Sequence, residues 1–196
     1  MDSLNSWLTN LSGGWVLFAA CAALAVLFAL VGMKASAGEL KLKPDAGYDK
    51  PMLAFELNAG AATQMFESWD AETKSVLRTA LMWDFLFIFI YPGLIAAVCL
   101  VGARYLDARG YLGLRVSIFF ILLALFAAAL DAVENCALLG VLGGQEANLL
   151  PAVARWCAIV KFACAFTAGG YALLACFAAA ALWLYHLVAG RPPIPS

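Results

Sequence analysis

The chain has 196 residues, of which 65% are hydrophobic and 13% charged, where soluble domains run at about 45–50% and about 25%. So few polar side chains cannot cover a water-soluble surface, which excludes a free cytosolic enzyme, a secreted disulfide scaffold and a disordered tail. Lys+Arg 12 and Asp+Glu 13 leave a formal net charge of −1, so no basic field exists to attract nucleic acid.

Crossing about 30 Å of hydrocarbon takes about 20 apolar residues in a helix. Four runs are long enough: Gly14–Met33, Arg78–Val101, Leu114–Leu142 and Val153–Ala189. Apolar residues surround each run instead of lining one stripe, which suits helices facing lipid on one side and neighbours on the other. The short alternating segments of a β-barrel are missing. The expected fold is an all-α integral membrane protein, a single membrane domain over 1–196. It has four transmembrane helices in an antiparallel bundle and one amphipathic interfacial helix in the first loop.

The first run is followed by Ala35-Ser36-Ala37, which has the small-residue form of a signal cleavage site. The tail before it carries no Lys or Arg, and the run exceeds the ~7–15 residues of a signal core. It reads as a retained helix. In the first loop, Asp49-Lys50-Pro51 offers a helix start. Met52, Phe55, Ala59, Ala62, Phe66 and Trp69 then recur at spacings of three and four, with Glu56, Gly60, Thr63 and Glu67 opposite. That pattern over 52–69 predicts an amphipathic helix, lying in the membrane interface or packed on the bundle as a lid. Asp70 follows as a cap for the second span.

Orientation follows from the basic residues. Lys34, Lys41, Lys43, Lys50, Lys74, Arg78 and Arg155 lie on one side, and Arg104, Arg109, Arg115 and Arg191 on the other. Seven against four puts loop 34–77 in the cytoplasm and both termini outside, in a multi-pass protein of the plasma (inner) membrane. The tail from Arg191 to Ser196 reads as a short extended segment.

Inside the spans, ionisable groups are few: Asp84 in the second, Asp131 and Glu134 in the third, Lys161 in the fourth. Each costs at least ~2.5–3.5 kcal/mol on insertion scales, so each needs a reason. At 1.5 Å per residue, Asp84 lies roughly 9 Å and Lys161 roughly 12 Å inside their spans. Asp131 and Glu134 lie roughly 9–16 Å from the far end of a span running the other way. All four therefore fall at one level, in the half facing the long loop. Asp131, Glu134 and Asn135 share one helix face at i, i+3 and i+4, and Asp84 shares a face with Tyr91 seven residues on.

Three carboxyl groups against one ammonium leave an excess of negative charge that a low-dielectric site does not tolerate; protons stay on, or a cation binds. Asp84, Asp131, Glu134 and Asn135 are thus the candidate proton- or cation-binding residues, with Lys161 as charge partner. A metal, if one binds, would take Asp84, Asp131 and Glu134. The competing reading is a structural network in which Lys161 pairs a carboxylate and neutral polar groups tie helices together. Tyr91-Pro92-Gly93 interrupts the second span, forming a kink that serves either as a gate or to shape the bundle. Ala165 and the Gly169-Gly170 pair read as close helix packing. Trp183 and Tyr185 read as an aromatic belt at the far end of the fourth span.

The lone histidine, His186, lies at the other end of the fourth span and reads as interfacial. Bis-histidine haem and multi-histidine zinc sites are disfavoured accordingly, and no cofactor is evident. Cys21, Cys99, Cys136, Cys157, Cys164 and Cys176 all fall within spans without a C-x-x-C and read as buried apolar thiols. Nucleotide and hydrolase fingerprints are missing, and Ser117 has no base nearby in sequence. Three functions fit these residues. The first is a cation or proton site serving transport or conformational coupling. The second is a non-catalytic accessory or assembly subunit of a membrane complex, and the third a metal-assisted lipid enzyme. The lack of inward histidines leans away from an enzyme. The implied partners are the lipid bilayer and either a second copy of the chain, as a homo-oligomer, or a larger membrane complex, with no nucleic acid.

Overall fold

A computed structural model describes residues 13–39, 69–107, 113–144 and 149–189. They form four helices: α1 Gly13–Glu39, α2 Ala71–Asp107, α3 Gly113–Leu142 and α4 Leu150–Val188. Among the described residues there is no strand. Three helices are long and apolar enough to cross a membrane, over Ala71–Arg104, Gly113–Leu142 and Leu150–Leu182. In α1 the described apolar stretch, Ala19–Lys34, is shorter. The expected amphipathic segment 52–69 lies outside the described residues apart from Trp69.

Local chemistry sets the helix ends. Asp70 caps α2: its Oδ1 accepts the Thr73 amide at 2.8 Å, and its carbonyl accepts the Lys74 amide at 3.1 Å. This satisfies donors that the first turn leaves without intrahelical partners. At the end of α3, Gly143 N–H donates to the Leu139 carbonyl at 2.9 Å. Gly144 then turns the chain at φ 74°, a conformation glycine adopts without the Cβ penalty. Pro151 sits in the first turn of α4, where its missing N–H removes no helical bond.

Successive helices run antiparallel, so that α2 and α4 are parallel; α2, α3 and α4 are mutually in contact, and α1 is laid along α2. The early turns of α2 (Leu77, Leu81) meet the end of α3 (Leu138, Leu142) and the start of α4 (Ala154). Leu24 of α1 approaches Gly93, and the Phe28 ring packs against Phe87 at 4.8 Å between centroids, tilted by 41°. The bundle expected from sequence is therefore a three-helix core with a fourth helix on its flank.

The inward faces repeat every seven residues. On α3 the buried positions include Gly113, Ser117, Ala124, Ala127, Asp131, Glu134, Leu138 and Val141. On α4 the inward stripe is Ala154, Ala158, Lys161, Ala165, Ala168, Ala172 and Ala175, all but the half-buried Ala165 being fully buried. Alternating steps of four and three are the signature of helices crossing at a shallow angle. Small residues on that stripe let the backbones come close.

Helices α2 and α4 come close at Gly102, where an added Cβ would stand 2.9 Å from the Ala175 Cβ and 3.3 Å from its carbonyl carbon. Beside Gly169 and Gly170 nothing lies within 4 Å. The close packing expected at that pair falls instead at Gly102 and along the alanine stripe, because the two glycines are off the seven-residue register. The outer faces carry large apolar side chains such as Phe89, Phe166 and Phe177, each at least 70% exposed. Apolar patches on this scale call for lipid or a partner protein against them.

Candidate functional site

Three helices each contribute polar side chains at one level of the core. From α3, Asp131, Glu134 and Asn135 point inward and are buried. From α4, Lys161 occupies the alanine stripe and is buried as well. From α2 comes Asp84, which is half-buried.

The Lys161 ammonium sits between the two acids of α3. Its Nζ lies 2.7 Å from Asp131 Oδ1 and 2.9 Å from Glu134 Oε2. Beside this triad, Asn135 Nδ2 donates to Asp84 Oδ2 at 2.7 Å. These five residues are the ones that the sequence placed together. Sequence left open which carboxylate Lys161 pairs, and the structure pairs it with both. Asn135 holds the third carboxyl group, which among the described residues has no cation at ion-pair distance.

The layer is closed along the bundle axis by apolar packing. On one side stand Trp69, Leu77, Leu81, Leu138 and Ala154. On the other stand Ile88, Tyr91 and Ala128, with Phe85, Phe87, Ala132 and Ala165 packed against them. Within such walls the dielectric is low, so ion pairs are strong and an uncompensated charge is costly. The phenol of Tyr91 shares the electrostatic surroundings of Asp131, Lys161, Asp84 and Glu134.

Among the described residues, no group of three His, Cys, Asp or Glu side chains could hold a metal ion. The ammonium already occupies the position between Asp131 and Glu134 that a cation bridging them would take. The expected metal set of Asp84, Asp131 and Glu134 is thus split by Lys161 and Asn135.

The segment Tyr91-Pro92-Gly93 lies within the continuous run of α2. Tyr91 and Pro92 are buried, and a Cβ added at Gly93 would stand at an ordinary van der Waals distance of 3.9 Å from Leu24 of α1. The six cysteines are free, as expected. They are not uniformly buried, however: Cys99 is buried, Cys136 is exposed, and the other four are intermediate. His186 lies in α4, and its side chain is outside the described set.

A second polar network escaped the sequence reading. Ser117, fully buried, donates from Oγ to the Cys99 carbonyl at 3.2 Å and lies 2.9 Å from the Tyr171 hydroxyl. Tyr171 also reaches the Gly113 carbonyl at 3.5 Å, and its ring stacks on Phe120 at 4.1 Å. This clasp ties α2, α3 and α4 together near the other end of the core. The signal was present: Ser117 stands two heptads before Asp131 and so shares its inward face.

Comparison with models of known protein families, with characterised proteins and with solved structures finds no match for this chain.

Proposed function

We propose that this chain is an integral membrane protein whose buried layer of Asp84, Asp131, Glu134, Asn135 and Lys161 takes up and releases a proton or a cation. The exchange would couple to transport or to rearrangement of the helices. The observation that carries this reading is the composition of the layer. One ammonium lies between two acids, a third acid is hydrogen-bonded at the same level, and apolar packing closes both sides. With every group ionised the layer would hold three negative charges against one positive. A water-poor interior does not keep that imbalance, so a further positive charge belongs in it. Its arrival or departure changes the pairing among three helices, which is the link to movement.

In this reading all four helices span the plasma membrane, both termini lie outside, and loop 34–77 is cytoplasmic. A transport path would need a second copy, because one three-helix core offers little room for it.

Thermal unfolding in detergent, across pH and with added cations, tests the proposal on wild type and Glu134→Gln. Glutamine keeps the shape of glutamate and removes one charge, so the variant should fold. The wild type should show a pH- or concentration-dependent stabilisation that the variant lacks. An identical response in both would overturn the proposal and leave the accessory-subunit reading, for which native purification should yield a hetero-complex. The metal-assisted lipid enzyme gains no support from the donor geometry.

A further inference from the structure

We propose that segment 167–170 is a hinge in α4, about which the half of the helix carrying Lys161 swings when the polar layer changes charge. The inference rests on the proton-or-cation reading above and deepens it by naming the part that moves. Two anchors bracket the segment. Before it, Lys161 Nζ contacts Asp131 and Glu134 of α3 at 2.7 and 2.9 Å. After it, the Tyr171 hydroxyl lies 2.9 Å from Ser117 Oγ, and the Tyr171 ring stacks on Phe120 at 4.1 Å. One turn further on, a Cβ added at Gly102 of α2 would stand 2.9 Å from that of Ala175. The first anchor is ionic and gives way when charge changes. The second is made of hydroxyls, rings and close backbone packing, and stays.

Between the anchors the helix is locally weak. Thr167 Oγ1 donates to the Ala163 carbonyl at 2.6 Å, a bond to the preceding turn that competes with the backbone ladder and bends helices. Gly169 and Gly170 follow, and adjacent glycines weaken a helix because their backbone has more freedom to lose. At Gly102 that loss is offset by close packing. Beside Gly169 and Gly170 a Cβ would meet nothing within 4 Å. Packing within the chain therefore gives no reason for two glycines in mid-helix, whereas bending does.

The layer supplies the trigger. Lys161 faces Asp131 and Glu134 of α3; Asp84 and Tyr91 of α2 share its surroundings, and Cys157 stands one turn before it on α4. Lys34, the charged side chain of α1 that is described, is exposed. Positive charge arriving on Asp131 or Glu134 weakens their hold on Lys161. At 1.5 Å per residue, a bend of about 20° at Gly169 would carry the Lys161 backbone roughly 4 Å and that of Trp156 roughly 7 Å. Contacts of 2.7 and 2.9 Å do not survive such a shift.

Distances between paired spin labels in the full chain, in lipid vesicles and a cysteine-free background, test this. One pair, Val133→Cys with Trp156→Cys, joins α3 to the swinging half. The other, Phe119→Cys with Phe177→Cys, joins α3 to the clasped half; all four positions are exposed. As pH falls, or as sodium or magnesium is added, the first distance should change by about 5–7 Å and the second by less than about 2 Å. Gly169→Ala combined with Gly170→Ala has room for both methyl groups, so it should fold and should hold the first distance fixed. Thr167→Val keeps the side-chain shape without the hydroxyl and should reduce the change; an unreduced change overturns the part given to Thr167. An undiminished change in the double alanine variant overturns the hinge. So does an equal change in both pairs, the mark of a rigid helix. Loss of a dimer in that variant, on sizing in detergent, overturns it too and makes the glycines a contact between copies. A static first distance in wild type overturns the hinge alone where Glu134→Gln alters the unfolding response, and the parent reading as well where it does not.

Discussion

Removing the ammonium from the layer has a consequence whose size follows from the geometry. At 2.7 and 2.9 Å, and with an effective dielectric of about 20, each Lys161–carboxylate attraction is about 6 kcal/mol before desolvation is counted. Taking each of the three ions out of water costs several kcal/mol, so the intact triad contributes little net stability. Lys161→Met deletes both attractions while the two acids remain buried. The variant should lose about 3–5 kcal/mol near neutral pH. The loss should shrink as pH falls, because protons supply the missing positive charge. Combining Lys161→Met with Asp131→Asn and Glu134→Gln removes the charges altogether and should bring stability back to within about 1 kcal/mol of wild type. Denaturant unfolding in mixed micelles, read by near-ultraviolet circular dichroism, measures all three proteins. A loss below about 1 kcal/mol in the single variant would refute this account and make the aliphatic stem, which methionine keeps, the part of Lys161 that matters; no recovery in the triple variant would refute it too.

Other expectations concern packing and placement. Ser117→Ala should cost about 1 kcal/mol in the same assay, because it breaks the link from Tyr171 to the Cys99 carbonyl in an apolar setting. Gly102→Ala should cost about 1–3 kcal/mol through the 2.9 Å approach to Ala175, with partial rescue by Ala175→Gly, whereas Gly169→Ala and Gly170→Ala should be neutral or slightly stabilising. In a cysteine-free background, single cysteines at positions 40–48 should resist an impermeant thiol reagent added outside cells, and ready labelling there would reverse the orientation.

Apolar length made the helices legible in the sequence, because a run of about 20 such residues has few other uses. Alternating topology then sufficed to bring Asp84, Asp131, Glu134 and Lys161 to one level, since depth along a helix is residue count times a fixed rise. Azimuth was harder to read. Helices that are apolar all round give no moment to say which face turns inward, so residue size alone points to Gly169-Gly170 for packing. The alanine stripe on α4 was the better guide. It is a seven-residue repeat in which small residues mark the close contact, and it contains Lys161. The flanking position of α1 was not readable for the same reason: its apolar sides are equivalent in sequence. The pairing of Lys161 with two acids depends on distances of an ångström or less, which residue spacing does not carry.

The stripe also explains why the polar layer governs the relation of α4 to α3. Alanine against alanine is nearly featureless, so sliding α4 by one heptad would preserve most of the small-residue packing. It would, however, bring Ala154 or Ala168 opposite Asp131 and Glu134 in place of Lys161, leaving two buried acids without their cation. The ion pairs therefore fix a register that the alanines leave loose, a use for which buried polar groups are well suited. The same argument runs in reverse. Protons arriving on Asp131 and Glu134 would remove the penalty for parting from Lys161, and α4 would then be held only by interchangeable small contacts. Under the proposed function, a change of charge in this one layer is the event that would free α4 to move.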